Sequence, residues 1–447
     1  MTRQRDFKAR VRARMQRTGE RYSTARAHVL VGSQAPAEEL SAVAGASGSN
    51  VSRGPTPPDA PGIFSPVRSV GGQQADVAAA RNLLASAGVN GPDGSPLTEA
   101  MAFGLAGGVG FLYGVFEYDG TPTMTIVGRN RSTPDAFLEP LFGRAGVEVE
   151  VVTTGSAAKA RRELDRLLDN EVPSLCTVGA GRLDYLGLPG DEAAMSPHVV
   201  GVVGRDAGAV LLDDRAPSPH LVDYEAFSAA RGAYPPSKHR MISVSSVHEH
   251  HDWGQALASA IREGAQGYDI PPVPQFASNV GTAGLEKWRR LLTNPKEKKS
   301  WHRVFGEGTR AAIGLSRLYD CVTHAYTAPG AGRSLYADFL EESGAVTDPG
   351  PVTAFRRSGE CWTELATLAT GVDEELARYA ELADRRTARL DEAPSAGEMA
   401  VLYAEQREIV ARSRLTVSDT AEVFAKLGDV LEEIIELERG AIAVLAN

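Results

Sequence analysis

The stretch HVVGVVGRDAGAVLLDD, residues 198–214, constrains the fold of this 447-residue chain more than any other. Two apolar runs flank Arg-Asp-Ala-Gly, the composition of a hairpin turn. They are predicted to form antiparallel strands over 198–206 and 209–214. A short turn sets the open ends of such a hairpin side by side. His198 opens the first strand and Asp214 closes the second. A histidine oriented by a carboxylate is the base half of a Cys–His–Asp arrangement. On spacing alone, the plainer reading is favoured: a histidine at a strand edge and an aspartate capping a turn.

More strands follow the same apolar patterning, at 110–118, 123–129, 147–152, 173–179 and 239–244. Helices are predicted at 76–88, from Thr98 through LTEAMAFGLAGG, and at 156–170. From about 252 the pattern turns helical, with helices at 252–265, 282–293, 300–325, 332–343, 351–369, 373–390, 396–413 and 416–446. The fold class is therefore α+β, a mixed α/β segment followed by an all-helical one. The predicted domains are 67–250 and 251–447. Ahead of them stand a basic amphipathic helix at 1–30 and a flexible linker at 31–66, rich in Gly, Ser, Ala and Pro.

The segment GGQQADVAAARNLLASAG, residues 71–88, resembles the entrance to a cysteine-enzyme site. A glycine pair precedes Gln73 and Gln74, and a helix begins at once, with Asp76 as its expected N-cap. A nucleophile at the head of that helix would sit at the positive end of its dipole, which favours a thiolate. The residue there is Ala75, which cannot attack a carbonyl.

Charge is uneven. Residues 1–30 carry nine Lys and Arg against Asp6 and Glu20, while the whole chain has a formal net charge of −10. An Arg-rich arm on an acidic body fits a polyanion partner, such as nucleic acid, a membrane surface or an acidic carrier protein. It also fits docking onto this protein or a second copy. Phe7 and Tyr22 are the arm's only aromatics, which gives base stacking little support. The three cysteines, Cys176, Cys321 and Cys361, form no CxxC pair. Neither a disulfide framework nor a zinc knuckle is expected, and a reducing cytoplasm is the simplest location. Cys176 reads as a small core residue within a strand. No apolar stretch is long enough to span a bilayer and no secretory signal is evident. His248, His250 and His251 in HEHH are dense in imidazole but lack a distant partner, so a solvated linker patch is expected there. No metal or other cofactor is expected.

Taken in order, GGQQADVAAARNLL, LTEAMAFGLAGGVGF, VPSLCTVG, HVVGVVGRD and LLDDRAPSPHLVDYEAFSAAR resemble the N-terminal domain of the butirosin biosynthesis protein H family. GTAGLEKWRRLLTNPKEKKSW, SLYADFLEESG and ECWTELA resemble the helical domain that usually follows it. The resemblance implies a papain- or C39-peptidase-like acyltransferase fold. It also implies transfer of an acyl or aminoacyl group from a carrier-protein thioester to an amine of a small molecule, in secondary metabolism of the antibiotic-forming kind. The family's His-Cys pair falls on Gln74 and Ala75, its strand-borne pair on His198 and Asp214, and its Asp after the Pro-Val strand on Gly179. The family's glutamate with spaced glycines falls on Glu99, Gly104, Gly107 and Gly108. Gln73, Gln74, Glu99, Gly107 and Gly108 are thereby the expected substrate or oxyanion residues. First-turn capping is the alternative for Glu99.

Three functions compete on this reading: an acyltransferase with its nucleophile position at Ala75, a pseudoenzyme or scaffold that binds without turnover, and a nucleic-acid-linked regulator. The implied partners are an acyl carrier protein or other acidic partner at the Arg-rich arm, a small-molecule amine and a second copy of the chain. The alanine is read either as a natural loss or as an introduced substitution.

Overall fold

In the computed structural model, residues 68–447 are described, except 119, 189–195, 207, 326 and 393. The predicted basic helix and linker lie outside the described residues.

Near the start of this region, α1 (Ala75–Ser86) and α2 (Glu99–Ala106) precede a hairpin of β1 (Val109–Tyr118) and β2 (Thr121–Arg129). Next come α3 (Pro134–Arg144), β3 (Val147–Val152), α4 (Ala157–Asp169), β4 (Ser174–Gly179), β5 (Pro197–Asp206), β6 (Ala209–Asp213), β7 (His220–Asp223), α5 (Tyr224–Ala233) and β8 (Met241–Val247). The second sheet has six strands in the order β3-β8-β4-β5-β6-β7. Every pairing in it is antiparallel. Strand β4 is buried at every residue because α1 packs on one side and α5 also covers it. This explains its unbroken apolar sequence, since a strand covered on both faces loses the alternation of a half-solvated one. Cys176 lies at its centre, fully buried, and burial pushes its thiol pKa up. The cysteine is thus a core residue, held in its unreactive form.

The helical part runs α6 (Trp253–Gly267), α7 (Gly281–Thr293), α8 (Trp301–Val304), α9 (Gly308–Thr323), α10 (Arg333–Ser343), α11 (Gly350–Thr370), α12 (Glu374–Leu390), α13 (Ala396–Arg412) and α14 (Val417–Leu445). The single helix expected over 300–325 is broken in two. A Cβ on Gly306 would come within 2.2 Å of the His302 carbonyl oxygen, and Gly308 has φ +55°. A tight, glycine-dependent turn therefore replaces helix there. The β1–β2 hairpin is enclosed by these helices. Phe111 and Tyr113 stack on Trp288, with ring centroids 6.1 and 5.7 Å away, and Trp288 continues onto Trp362 at 6.0 Å.

One ion pair binds the hairpin to the last helix. Arg333 donates to Glu438 through Nε and Nη2, both at 2.8 Å. Its remaining donors reach the carbonyls of Gly128, Ala331 and Gly110 at 2.5, 2.9 and 3.0 Å. Glu438 also accepts from Tyr268, Ser358 and Trp362 at 2.5, 2.6 and 3.0 Å. Such saturation allows a guanidinium and a carboxylate to be buried together. Among the described residues, no helix is long and apolar enough to cross a membrane.

Candidate active site

The β5–β6 hairpin forms as its sequence predicts, with Gly201 opposite Asp213 and Val202 opposite Leu212. This register carries Asp214, one residue past β6, to the end of the hairpin where His198 begins. His198 Nε2 lies 2.8 Å from Asp214 Oδ2. The carboxylate is buried, whereas about a fifth of the imidazole surface reaches solvent. Gly179 ends the adjoining strand and is paired with Pro197, directly beside the histidine.

Asp214 is fully committed. Oδ2 also accepts from the Tyr185 hydroxyl at 2.8 Å, and Oδ1 accepts from Arg215 N at 2.8 Å. Burial alone would raise its pKa, but the charge and hydrogen bond of His198, with Tyr185 and His220, hold it down at about 2. For His198, burial opposes the charged form; the Asp214 charge and bond outweigh it, Asp76 adds to them, Arg215 opposes, and the pKa is raised. With Nε2 turned to the carboxylate, the Nδ1 edge is left for a reacting group.

The head of α1 meets this dyad. Gly72 N donates to Arg215 O at 2.9 Å, tying the glycine loop to the residue after Asp214. Helix α1 packs on β5, and Asp76 lies close enough to His198 to shift its proton affinity. Ala75 is the first residue of the helix and is partly exposed. The N-cap is Gln74, not Asp76 as expected. Asp76 is drawn instead into a buried pair with Arg129 Nη1 at 2.7 Å and accepts from Val77 N. A charged partner outweighs capping at that position.

The expected substrate and oxyanion residues divide. Glu99 reaches across to the loop ahead of α1, where its carboxylate accepts from Gln73 N at 2.8 and 2.9 Å and from Gln74 N at 2.7 Å. Its own helix is capped by Thr98, which accepts from Met101 N. First-turn capping of α2 is therefore not what Glu99 does. Gln73 is exposed, but Gln74 is buried with its Oε1 accepting from Arg129 at 3.3 Å. The Gln74 side chain thus faces Arg129.

Gly107 and Gly108 stand at the other end of α2 from Glu99, about 12 Å along an eight-residue helix. A Cβ on Gly108 would come 2.3 Å from the Tyr336 ring, so this glycine permits close packing against α10. Gly107 lines a separate cavity of about 390 Å³ with Arg129, Asn130 and Arg144, one that neither His198 nor Asp214 lines. The structure therefore brings Ala75, Gln73, Glu99, His198 and Asp214 to one region and leaves Gly107 and Gly108 outside it.

Sequence reasoning missed Tyr185 and Arg129. Tyr185 sits in a single 3-10 turn, Asp184–Leu186, with no periodicity to mark it. Arg129 ends a strand read only for its apolar pattern. The HEHH histidines are not all solvated, since His251 Nε2 is 2.9 Å from Arg144 O and packs edge-on to Trp253. Among the described residues, no group of His, Cys, Asp and Glu has the arrangement of a metal site.

Comparison with known families adds two matches. Residues 74–215 match the family described as butirosin biosynthesis protein H, N-terminal. Residues 225–393 match a domain of unknown function (DUF4872). The first match opens at the head of α1 and ends one residue past Asp214. The second begins inside α5, so β8 falls within it although β8 pairs into the same sheet. No curated protein matches the chain.

Proposed function

The chain belongs to the butirosin biosynthesis protein H family, and from that premise we propose that it handles acyl transfer from a carrier-borne thioester to an amine in natural-product biosynthesis. The observation that carries this reading is the His198–Asp214 pair, bonded at 2.8 Å and tied through Arg215 to the loop before Ala75. The fold proposed for 67–250 is of the papain or C39-peptidase type, with the family's nucleophile position at Ala75.

Without a thiol at 75, transfer runs without a covalent intermediate. The amine nitrogen attacks the thioester carbonyl and a C–N bond forms. His198 Nδ1 takes the proton that the nitrogen sheds. The C–S bond then breaks and the proton returns to the departing thiolate, leaving an amide and a free thiol. General-base help of this kind is worth about 10²–10⁴-fold. The Arg-rich arm at 1–30 is proposed to engage an acidic carrier, and the amine acceptor to be a small molecule. The test supplies the full chain with acylated carrier protein or acyl-cysteamine thioesters and a panel of amines. Amide formation that falls at least a hundredfold in His198→Ala supports the reading; equal rates with and without the imidazole overturn it.

A second reading is favoured by Glu99. Its carboxylate already occupies the backbone N–H groups of Gln73 and Gln74, the donors that an oxyanion would need. A protein that captures the acylated carrier without turnover would leave these groups so occupied. Tight capture that survives His198→Ala, with no amide formed, selects this pseudoenzyme or scaffold function.

A further inference from the structure

The Asp214 carboxylate makes one contact that a His–Asp pair alone does not need. Oδ2 accepts from two donors, His198 Nε2 and the Tyr185 hydroxyl, each at 2.8 Å. The two bonds compete for one oxygen, so each weakens the hold of the other. Tyr185 cannot drift away from this contact. Its ring lies flat on His220, with centroids 4.0 Å apart and planes within 7°. Both residues are buried, and the Nε2 of His220 has no hydrogen-bond partner. The ring of His220 therefore serves as a packing plate rather than a link in a bonded chain. Behind the turn that carries Tyr185, Gly187 meets α13 so closely that a Cβ would fall 2.2 Å from the Met399 Cβ. The tyrosine is thus held from two sides.

We propose that Tyr185 is a positioning residue of this site: its hydroxyl shares Asp214 Oδ2 with His198, fixing the carboxylate rotamer and drawing off part of the charge that the imidazole feels. Left to Asp214 alone, His198 would hold its proton more tightly and serve less well as a base near neutrality. The other ionisable groups around the ring are Asp76 on α1, Arg215 just past β6, and His220 on β7, itself within the field of Asp391 at the end of α12; Asp213 faces Tyr185 instead. None of these bonds Oδ2. Tyr185 is the group placed to moderate the pair.

The inference rests on reading His198 as the base, but its experiment follows the ring rather than acyl transfer, so the two can fail separately. Histidine-labelled full-length protein is titrated by NMR as wild type and as Tyr185→Phe, with His198→Gln assigning the resonance. Tyr185→Phe keeps the ring on His220 and removes only the hydroxyl. The expected result is a His198 midpoint raised by about one unit, a tenfold gain in proton affinity. If the Phe variant does not fold, wild-type sequence labelled with 3-fluorotyrosine, which keeps the ring and makes the hydroxyl a stronger donor, should lower the His198 midpoint instead, and an unchanged or raised midpoint there overturns the proposal. Where amide formation is measurable, its pH profile shifts upward by the same interval. In Tyr185→Phe, a midpoint that stays put or falls overturns the proposal, because in neither case does the hydroxyl draw charge away from the imidazole.

Discussion

Replacing Asp214 by Asn perturbs the dyad through its charge while keeping its shape. The carboxyl stands at about 2 against its ordinary 3.8, even though burial pushes the other way. A displacement of nearly two units corresponds to roughly 2–3 kcal/mol in favour of the ionised form, net of burial. The His198–Asp214 attraction within it is reciprocal, so it favours protonated His198 as much as it favours the ionised carboxyl, whereas burial, Tyr185 and His220 act on the carboxyl separately. In the variant, burial and Arg215 pull the imidazole down and Asp76 alone still raises it. The ring should then titrate below its ordinary 6.5 rather than above it, a swing of about one unit or more. Stability follows the same shifts. The folded carboxyl is depressed, so its contribution is present above pH 3.8 and fades as pH falls toward 2. The folded imidazole is raised, so its contribution is present below 6.5 and fades as pH rises through the folded midpoint. The deficit of Asp214→Asn should therefore peak between these limits. Urea denaturation at pH 5 and pH 9, with histidine NMR on both proteins, measures each part. A midpoint unchanged or raised in the variant, or a stability deficit larger at pH 9, would refute the coupling.

Four further outcomes are expected. Arg333→Met strands a buried carboxylate and three carbonyls, so denaturant unfolding should show a loss of about 3–5 kcal/mol. Gly104→Ala puts a methyl 2.1 Å from the Phe339 ring, where α2 and α10 cross; a loss of about 1–3 kcal/mol is expected by the same measurement. Asp213, held by Asn82 at 3.1 Å, is raised by burial to about 7. Its folded form binds more protons than the unfolded chain between those pKa values, so it costs stability as pH climbs from about 4 to 7; Asp213→Asn should gain on wild type at pH 8 relative to pH 5. Glu99→Gln weakens three bonds to the loop before α1, and amide exchange at Gln73 and Gln74 should quicken by about tenfold.

Much of the fold was legible because local patterning and tertiary burial agree. The 198–214 hairpin is the clearest case: its turn, its β-branched runs and its two terminal residues all point to one geometry. The strands 147–152 and 173–179 and the helices from 332 onward read equally well. Pro134–Arg144, Tyr224–Ala233 and the short strand His220–Asp223 were missed. The first opens with a proline that reads as a loop until its N1 position is known. The strand is four residues long, too short for alternation to show. The pairing of His198 with Asp214 was legible because the two residues share a hairpin. Tyr185 was not, because its place comes from a 3-10 turn stacked on a distant histidine. Asp76 was misread as a cap because capping is a local property, whereas Arg129 arrives from 53 residues away. Gly107 and Gly108 carry local tasks that a motif alone does not distinguish from substrate approach: Gly107 caps α2 at φ +132°, and Gly108 makes room for the Tyr336 ring.

The central claim is that the imidazole of His198 serves the head of α1, where Ala75 stands. Intact-mass analysis of Ala75→Cys with an acyl-cysteamine thioester tests it directly. One acyl group should be gained at position 75, and the gain should slow by at least a hundredfold when His198→Ala is added. A thiol at 75 that stays unacylated, or acylates at the same rate without the imidazole, would contradict the account.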